Sequence, residues 1–132
     1  QQFRPVLKAF AESTPRFEIW LPNVGYFYND EKAIIYIGIT VTKELLALHQ
    51  RFQSDFIPCV NKQSTHYQVG HWVPHITLAV DVLPHNMPRA MTVLNRCMPP
   101  LLNNRVEIRE VALVNIQTGE TPYYFPLKRT RE

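Results

Sequence analysis

The fold is decided by the dense apolar run Ala33-Ile34-Ile35-Tyr36-Ile37-Gly38-Ile39. Its β-branched and aromatic residues favour a strand, and the run is too short for a typical helix. Because neighbouring positions are apolar alike, we expect this strand to be buried on both faces. The run therefore predicts a strand at the centre of a sheet.

The segment that follows changes from strand to helix periodicity. From Lys43 to Phe56 the apolar residues recur at intervals of three and four, which is typical of an amphipathic helix. Thr42 is placed to cap its first turn. We expect this helix to cover the sheet with the stripe Leu45, Leu48, His49, Phe52 and Phe56.

Further elements are predicted on both sides of this pair. Helices are expected over Gln1–Ser13 and Asn86–Met98, and strands over Phe17–Leu21, Trp72–Val80 and Arg105–Gln117. Pro58–Gly70 is polar and irregular and predicts a loop. The order of elements indicates an α+β domain with helices packed on one side of a mainly antiparallel sheet.

Composition restricts the class of protein. The chain of 132 residues is 45% hydrophobic, which suits a single modest core. A formal charge of +3 favours a polyanionic ligand over a polycationic one. Cys59 and Cys97 form no CxxC pair and indicate ordinary thiols in a reducing compartment. With no apolar run of bilayer length, we expect a cytoplasmic protein without a membrane partner.

The strand predicted over Trp72–Val80 contains the side chains that could take part in catalysis. Strand alternation puts Val73, His75, Thr77 and Ala79 on one face. An imidazole and a hydroxyl two positions apart, roughly 6.5 Å along a strand, can hold one tetrahedral anion between them. Histidine can exchange a proton near neutral pH, and threonine can donate to a phosphate oxygen. The alternative is a core histidine bonded to a backbone carbonyl.

The stretch Pro74-His75-Ile76-Thr77-Leu78-Ala79 resembles the HxTL signature of the 2H phosphoesterases. The elements around it resemble those around the second HxTL of the 2'-5' RNA ligase-like members, so the resemblance covers nearly the whole chain. It implies two α+β lobes facing a cleft, a metal-independent site without cofactor, and His75 and Thr77 as catalytic residues. It also implies hydrolysis of 2',3'-cyclic phosphates on RNA ends or cyclic nucleotides, with 2'-5' RNA ligation in some members. We expect a monomer.

The chain departs from the family pattern in two ways. His75 begins the single HxT or HxS in the sequence, so the first motif is missing. We therefore expect residues 1–132 to form a single 2H phosphoesterase-like domain that lacks its N-terminal strand, helix and first HxTL strand. Many members also have Arg two residues after the motif leucine, where this chain has Val80.

Other features of the sequence leave alternatives open. Tyr26 and Trp72 are candidates for substrate binding because aromatic rings stack on bases. A metal site at His71 and His75 is disfavoured, because Pro74 argues against a helix and a strand would separate the two by about 13 Å. Two hypotheses remain: an RNA 2',3'-cyclic phosphodiesterase, and an RNA- or nucleotide-binding module or inactive remnant that holds phosphate at one motif.

Overall fold

A computed structural model describes residues 3–60 and 68–129. The helices are α1 (Phe3–Ser13), α2 (Lys43–Phe56) and α3 (Met87–Cys97), with short 3-10 turns at Ile57–Cys59 and Pro84–Asn86. The strands are β1 (Phe17–Trp20), β2 (Val24–Asn29), β3 (Lys32–Gly38), β4 (His75–Val82), β5 (Arg105–Ile108), β6 (Glu110–Leu113) and β7 (Tyr123–Pro126). The pairs β2–β3, β3–β4 and β6–β7 are antiparallel, which confirms the α+β prediction.

The described residues form two compact units, and the first contains α1, α2, β6 and β7. Helix α1 packs against α2 and against the β6–β7 pair. Its buried residues are Leu7, Phe10 and Ala11. The Phe10 ring meets Phe52 of α2 edge to face at 5.2 Å, and Phe52 stacks on Phe56 at 4.3 Å. Aromatic contacts of this kind contribute to the apolar core of the first unit.

The boundaries and the N-terminal cap of helix α2 are those predicted from the sequence. It runs over Lys43–Phe56, and the Thr42 side chain accepts a hydrogen bond of 3.1 Å from the Leu45 backbone N–H. This bond satisfies one of the amide groups that a helix leaves unpaired in its first turn. The buried positions are Leu45, His49, Gln53 and Phe56, which follow the helical period.

The second unit is built on the sheet β2-β3-β4, and β3 is the central strand as predicted. Ala33, Ile35 and Ile37 are buried on one face of β3. On the other face Ile34 and Tyr36 are only half-buried. The strand is therefore less buried than predicted, because only one of its two faces is fully buried.

Strand β4 is irregular along its pairing with β3. Thr77 lies opposite Tyr36, but Ala79 lies opposite Ile35, so Leu78 is an extra residue in the ladder. A second irregularity follows at Asp81, whose φ is +54°. Bulges of this kind bend a strand and change which face a side chain occupies. The regular alternation predicted for Trp72–Val80 ends at Thr77.

Helix α3 lies in the second unit and begins at Met87, directly after the predicted start at Asn86. Pro88 occupies its first turn, where the missing amide hydrogen costs no helical bond. Ala90, Val93 and Leu94 line a cavity of about 540 Å³ together with Ile35 and Ala79. The apolar face of α3 is thus directed to the Ile35 face of the sheet.

The strand predictions were incomplete in three places. The strand expected over Arg105–Gln117 is two strands, β5 and β6, that pair with different partners. Strands β2 and β7 were not predicted. The expected loop Pro58–Gly70 falls partly outside the described residues. Within 3–60 and 68–129, no helix has the length and apolar content needed to cross a membrane.

Candidate active site

Strand β4 brings His75 and Thr77 to the same face of the sheet. The strand begins at His75, directly after the buried Pro74. In the ladder with β3, His75 lies opposite Gly38 and Thr77 lies opposite Tyr36. Side chains of directly opposed residues share a face, so the imidazole and the hydroxyl project together. His75 is half-buried and Thr77 is exposed, which leaves the pair accessible to a ligand.

Two aromatic rings from neighbouring strands contact the imidazole. The Phe27 ring of β2 lies 5.2 Å from the His75 ring at 80°, and the Tyr36 ring of β3 lies 5.5 Å from it at 65°. Phe27 and Tyr36 also stack on each other at 4.4 Å. Edge-to-face contacts restrict how the imidazole can rotate. The two rings therefore hold His75 in a limited range of orientations.

Tyr26, the first predicted substrate-binding residue, lies on the opposite face of the sheet. It is paired with Ile35, whereas Gly25 is paired with Tyr36, whose ring contacts His75. Tyr26 lines a cavity of about 580 Å³ beside the edge strand β2, together with Asn23, Tyr36 and residues of α3 such as Met91. The structure does not bring Tyr26 together with His75 and Thr77.

Trp72, the second predicted substrate-binding residue, belongs to the first unit, whereas His75 belongs to the second. Its indole ring stacks on the buried His49 ring of α2 at 4.0 Å and 9°. Gln53 Nε2 lies 3.3 Å from His49 Nε2. Trp72 thus makes a packing contact with α2 three residues before β4 begins.

No group of three or more His, Cys, Asp and Glu side chains suited to a metal ion occurs among residues 3–60 and 68–129. His71 is exposed in a turn of the first unit. On the His75 side of β4 the structure places the imidazole and the Thr77 hydroxyl, with the Tyr36 ring of β3 beside them. An imidazole and a hydroxyl in this arrangement can bind an anion and exchange a proton with it.

The sequence model of the 2'-5' RNA ligase superfamily matches residues 1–120. The chain belongs to the 2'-5' RNA ligase superfamily. This places it among the 2H phosphoesterases and confirms the resemblance drawn from Pro74–Ala79. A search of the curated proteins found no match to the chain.

One expectation about the face of this 2'-5' RNA ligase-like strand was wrong. Ala79 was predicted beside His75 and Thr77, but it lies opposite Ile35 on the face covered by α3. The reason is the extra residue at Leu78, since inserting one residue reverses the alternation beyond it. Val80, which stands where many family members have Arg, is exposed.

Sequence reasoning missed Phe27 and Tyr36 as neighbours of His75. Both residues lie in strands and alternate with residues of the other face, so a period of two could have grouped Gly25 with Phe27 and Tyr36 with Gly38. Assigning them to the His75 face needed the register of three strands, which no local pattern contains.

Proposed function

We propose that His75 and Thr77 form one half of a metal-independent site that hydrolyses 2',3'-cyclic phosphates of RNA ends or nucleotides. The observation that carries the proposal is their common, accessible face on β4 in a chain of the 2'-5' RNA ligase superfamily. The family supports a phosphoesterase or ligase that acts on RNA. The particular reaction is the one that the resemblance to the 2H phosphoesterases implies, and His75 and Thr77 are side chains that could take part in it.

Hydrolysis of a cyclic phosphate needs two proton transfers. A base removes a proton from water, whose oxygen forms a new bond to phosphorus. The bond from phosphorus to one ribose oxygen breaks, and an acid gives that oxygen a proton. The product is a phosphate monoester beside a free ribose hydroxyl. His75 is suited to one of these transfers, and the Thr77 hydroxyl can donate to a non-bridging phosphate oxygen.

One imidazole cannot serve the attacking and departing oxygens at once, because they lie on opposite sides of the phosphorus. The proposal therefore includes a second HxT or HxS motif on a segment that residues 1–132 do not contain. Such a motif would complete a single 2H phosphoesterase-like domain. Joining RNA ends through a 2'-5' bond would use the same groups, with the 5'-hydroxyl of another RNA end replacing water as the nucleophile and the 3' ribose oxygen leaving with a proton.

A second candidate function follows from the presence of a single HxT in these 132 residues. With one motif, the face bearing His75 and Thr77 can bind a phosphoryl group without turning it over. The chain would then act as an RNA- or nucleotide-binding module or an inactive remnant. The two candidates differ in turnover and agree on phosphate binding.

The test measures hydrolysis of a nucleoside 2',3'-cyclic phosphate by the complete protein in EDTA. We expect His75→Ala to lower kcat by at least about a hundredfold, since general acid-base groups contribute about 10²–10⁴. Thr77→Val should raise KM, because it removes a hydroxyl and keeps the shape. His85→Ala is the matched control, since His85 is exposed in a 3-10 turn of the same unit.

Turnover that survives in His75→Ala would remove His75 from the mechanism. An inactive wild type that still binds a nucleoside 2'-phosphate through His75 would favour the binding module. If the protein shows neither turnover nor His75-dependent binding, both candidates are overturned.

A further inference from the structure

A further polar side chain, Asn23, lies on the His75 face. The register Val24–Ile37 of the β2–β3 ladder continues one step to Asn23 and Gly38, where the Gly38 amide donates a 2.8 Å hydrogen bond to the Asn23 carbonyl. Gly38 is also the residue opposite His75. Asn23, Gly38 and His75 therefore form one row across three adjacent chain segments, with the Asn23 and His75 side chains on the same face.

The Asn23 side chain leans over the middle of this row. A Cβ atom added to Gly38 would overlap Asn23 Oδ1 and would lie 3.1 Å from its Cγ. The carboxamide therefore occupies the space that a side chain at position 38 would take. Since neighbouring strands are about 4.8 Å apart, the amide lies about one strand spacing from the backbone of His75.

This position puts the carboxamide within reach of a ligand bound at His75 and Thr77. A carboxamide has two N–H donors and one carbonyl acceptor, and it carries no charge at any working pH. It can donate to a phosphate oxygen but cannot take part in proton transfer near neutrality. Asn23 is exposed and belongs to the same unit as His75.

We propose that Asn23 is a third contact to the phosphoryl group, in which its carboxamide donates to a non-bridging oxygen across Gly38. This inference rests on the proposed function, since it assumes that a phosphoryl group occupies the face with His75 and Thr77. It assigns Asn23 to binding and Gly38 to keeping the space open for the amide.

The experiment measures the dissociation constant of a nucleoside 2'-monophosphate for the complete protein. Losing a hydrogen bond to a charged group should weaken binding about ten- to a hundredfold in Asn23→Ala. Asn23→Asp keeps the shape but replaces donors by a negative charge, so it should weaken binding at least as much. Asn86→Asp adds the same charge at an exposed position before α3 and is the matched control.

Gly38→Ala tests the geometry without altering the amide itself. Its methyl group should displace the Asn23 carboxamide and weaken binding in the wild-type background. In the Asn23→Ala background the same substitution should change binding by less than about twofold, because no carboxamide remains to be displaced. Thermal unfolding of each variant shows whether it is folded.

The outcomes separate this inference from the proposed function. If His75→Ala weakens binding and Asn23→Ala does not, Asn23 is no contact and the proposed function stands. If Gly38→Ala weakens binding equally in both backgrounds, the carboxamide does not act across Gly38 and the inference is overturned. If neither His75→Ala nor Asn23→Ala changes binding, the proposed phosphate site itself is absent.

Discussion

Substituting Gly25 by Ala tests whether the Tyr36 ring lies beside His75 as the structure has it. The added Cβ would lie 2.5 Å from Tyr36 Oη, 2.6 Å from its Cζ and 3.1 Å from its Cε1. Ordinary contacts between carbon atoms are about 3.5–4.0 Å, so the ring must move by about 1 Å. That ring stacks on Phe27 and contacts His75, so its movement would alter both ring contacts.

The expected magnitude combines two opposing effects. Overpacking costs about 1–3 kcal/mol, and the lower part of this range applies because Tyr36 is half-buried and can swing toward solvent. Replacing a strand glycine by alanine returns about 0.5–1 kcal/mol of conformational entropy. We expect a net loss of about 1 kcal/mol in the free energy of unfolding, which is about 3 °C in Tm for a chain of this size.

The decisive assay compares Gly25→Ala in two backgrounds by urea unfolding. With Tyr36 present the substitution should destabilise the protein, and in Tyr36→Ala it should stabilise it by about 0.5 kcal/mol, since the clash is gone and the entropy gain remains. The reversal of sign is the signature of the predicted contact. A cost of the same sign and size in both backgrounds would refute the placement of the Tyr36 ring over Gly25.

Three further predictions concern α2, the Trp72 stack and Tyr26. Thr42→Ala should lower the free energy of unfolding by about 1 kcal/mol, whereas Thr42→Ser should keep most of it, because the cap to the Leu45 amide needs a hydroxyl; an equal loss in both variants would contradict the cap. A double-mutant cycle of Trp72→Ala and His49→Ala, followed by urea unfolding, should give a coupling of about 0.5–1.5 kcal/mol; additive costs would mean that the rings do not interact. Tyr26→Ala should change KM for a cyclic nucleotide by less than about twofold, because Tyr26 lies on the opposite face from His75; a large rise in KM would place Tyr26 at the substrate.

Much of the candidate site could be predicted because it depends on local periodicity. His75 and Thr77 are two positions apart in a strand, and a period of two puts them on one face. The helix after Thr42 was predictable for the same reason, since its cap and apolar stripe lie in one continuous segment. The central position of β3 followed from its apolar run.

The rest of the site depends on contacts between distant segments. The bulge at Leu78, which moves Ala79 to the other face, appears only when β4 is aligned with β3. Trp72 was predicted to bind substrate because it is an aromatic residue near the motif. Its stack on His49 could not be predicted, because it depends on how α2 packs. Strand β2 was missed because Pro22 and Gly25 are typical of bends.

The glycines show how side-chain space on the His75 face is kept open. Of the four in the chain, Gly70 and Gly119 have φ of +90° and +74°, a backbone conformation that glycine adopts without strain. Gly25 and Gly38 have no such φ and lie within strands, where glycine weakens the sheet. Each instead lies under another side chain, Tyr36 over Gly25 and Asn23 over Gly38. Both covering side chains are on the face of His75. The glycines therefore lower the stability of the strands at the two positions where Tyr36 and Asn23 take up space beside the proposed site.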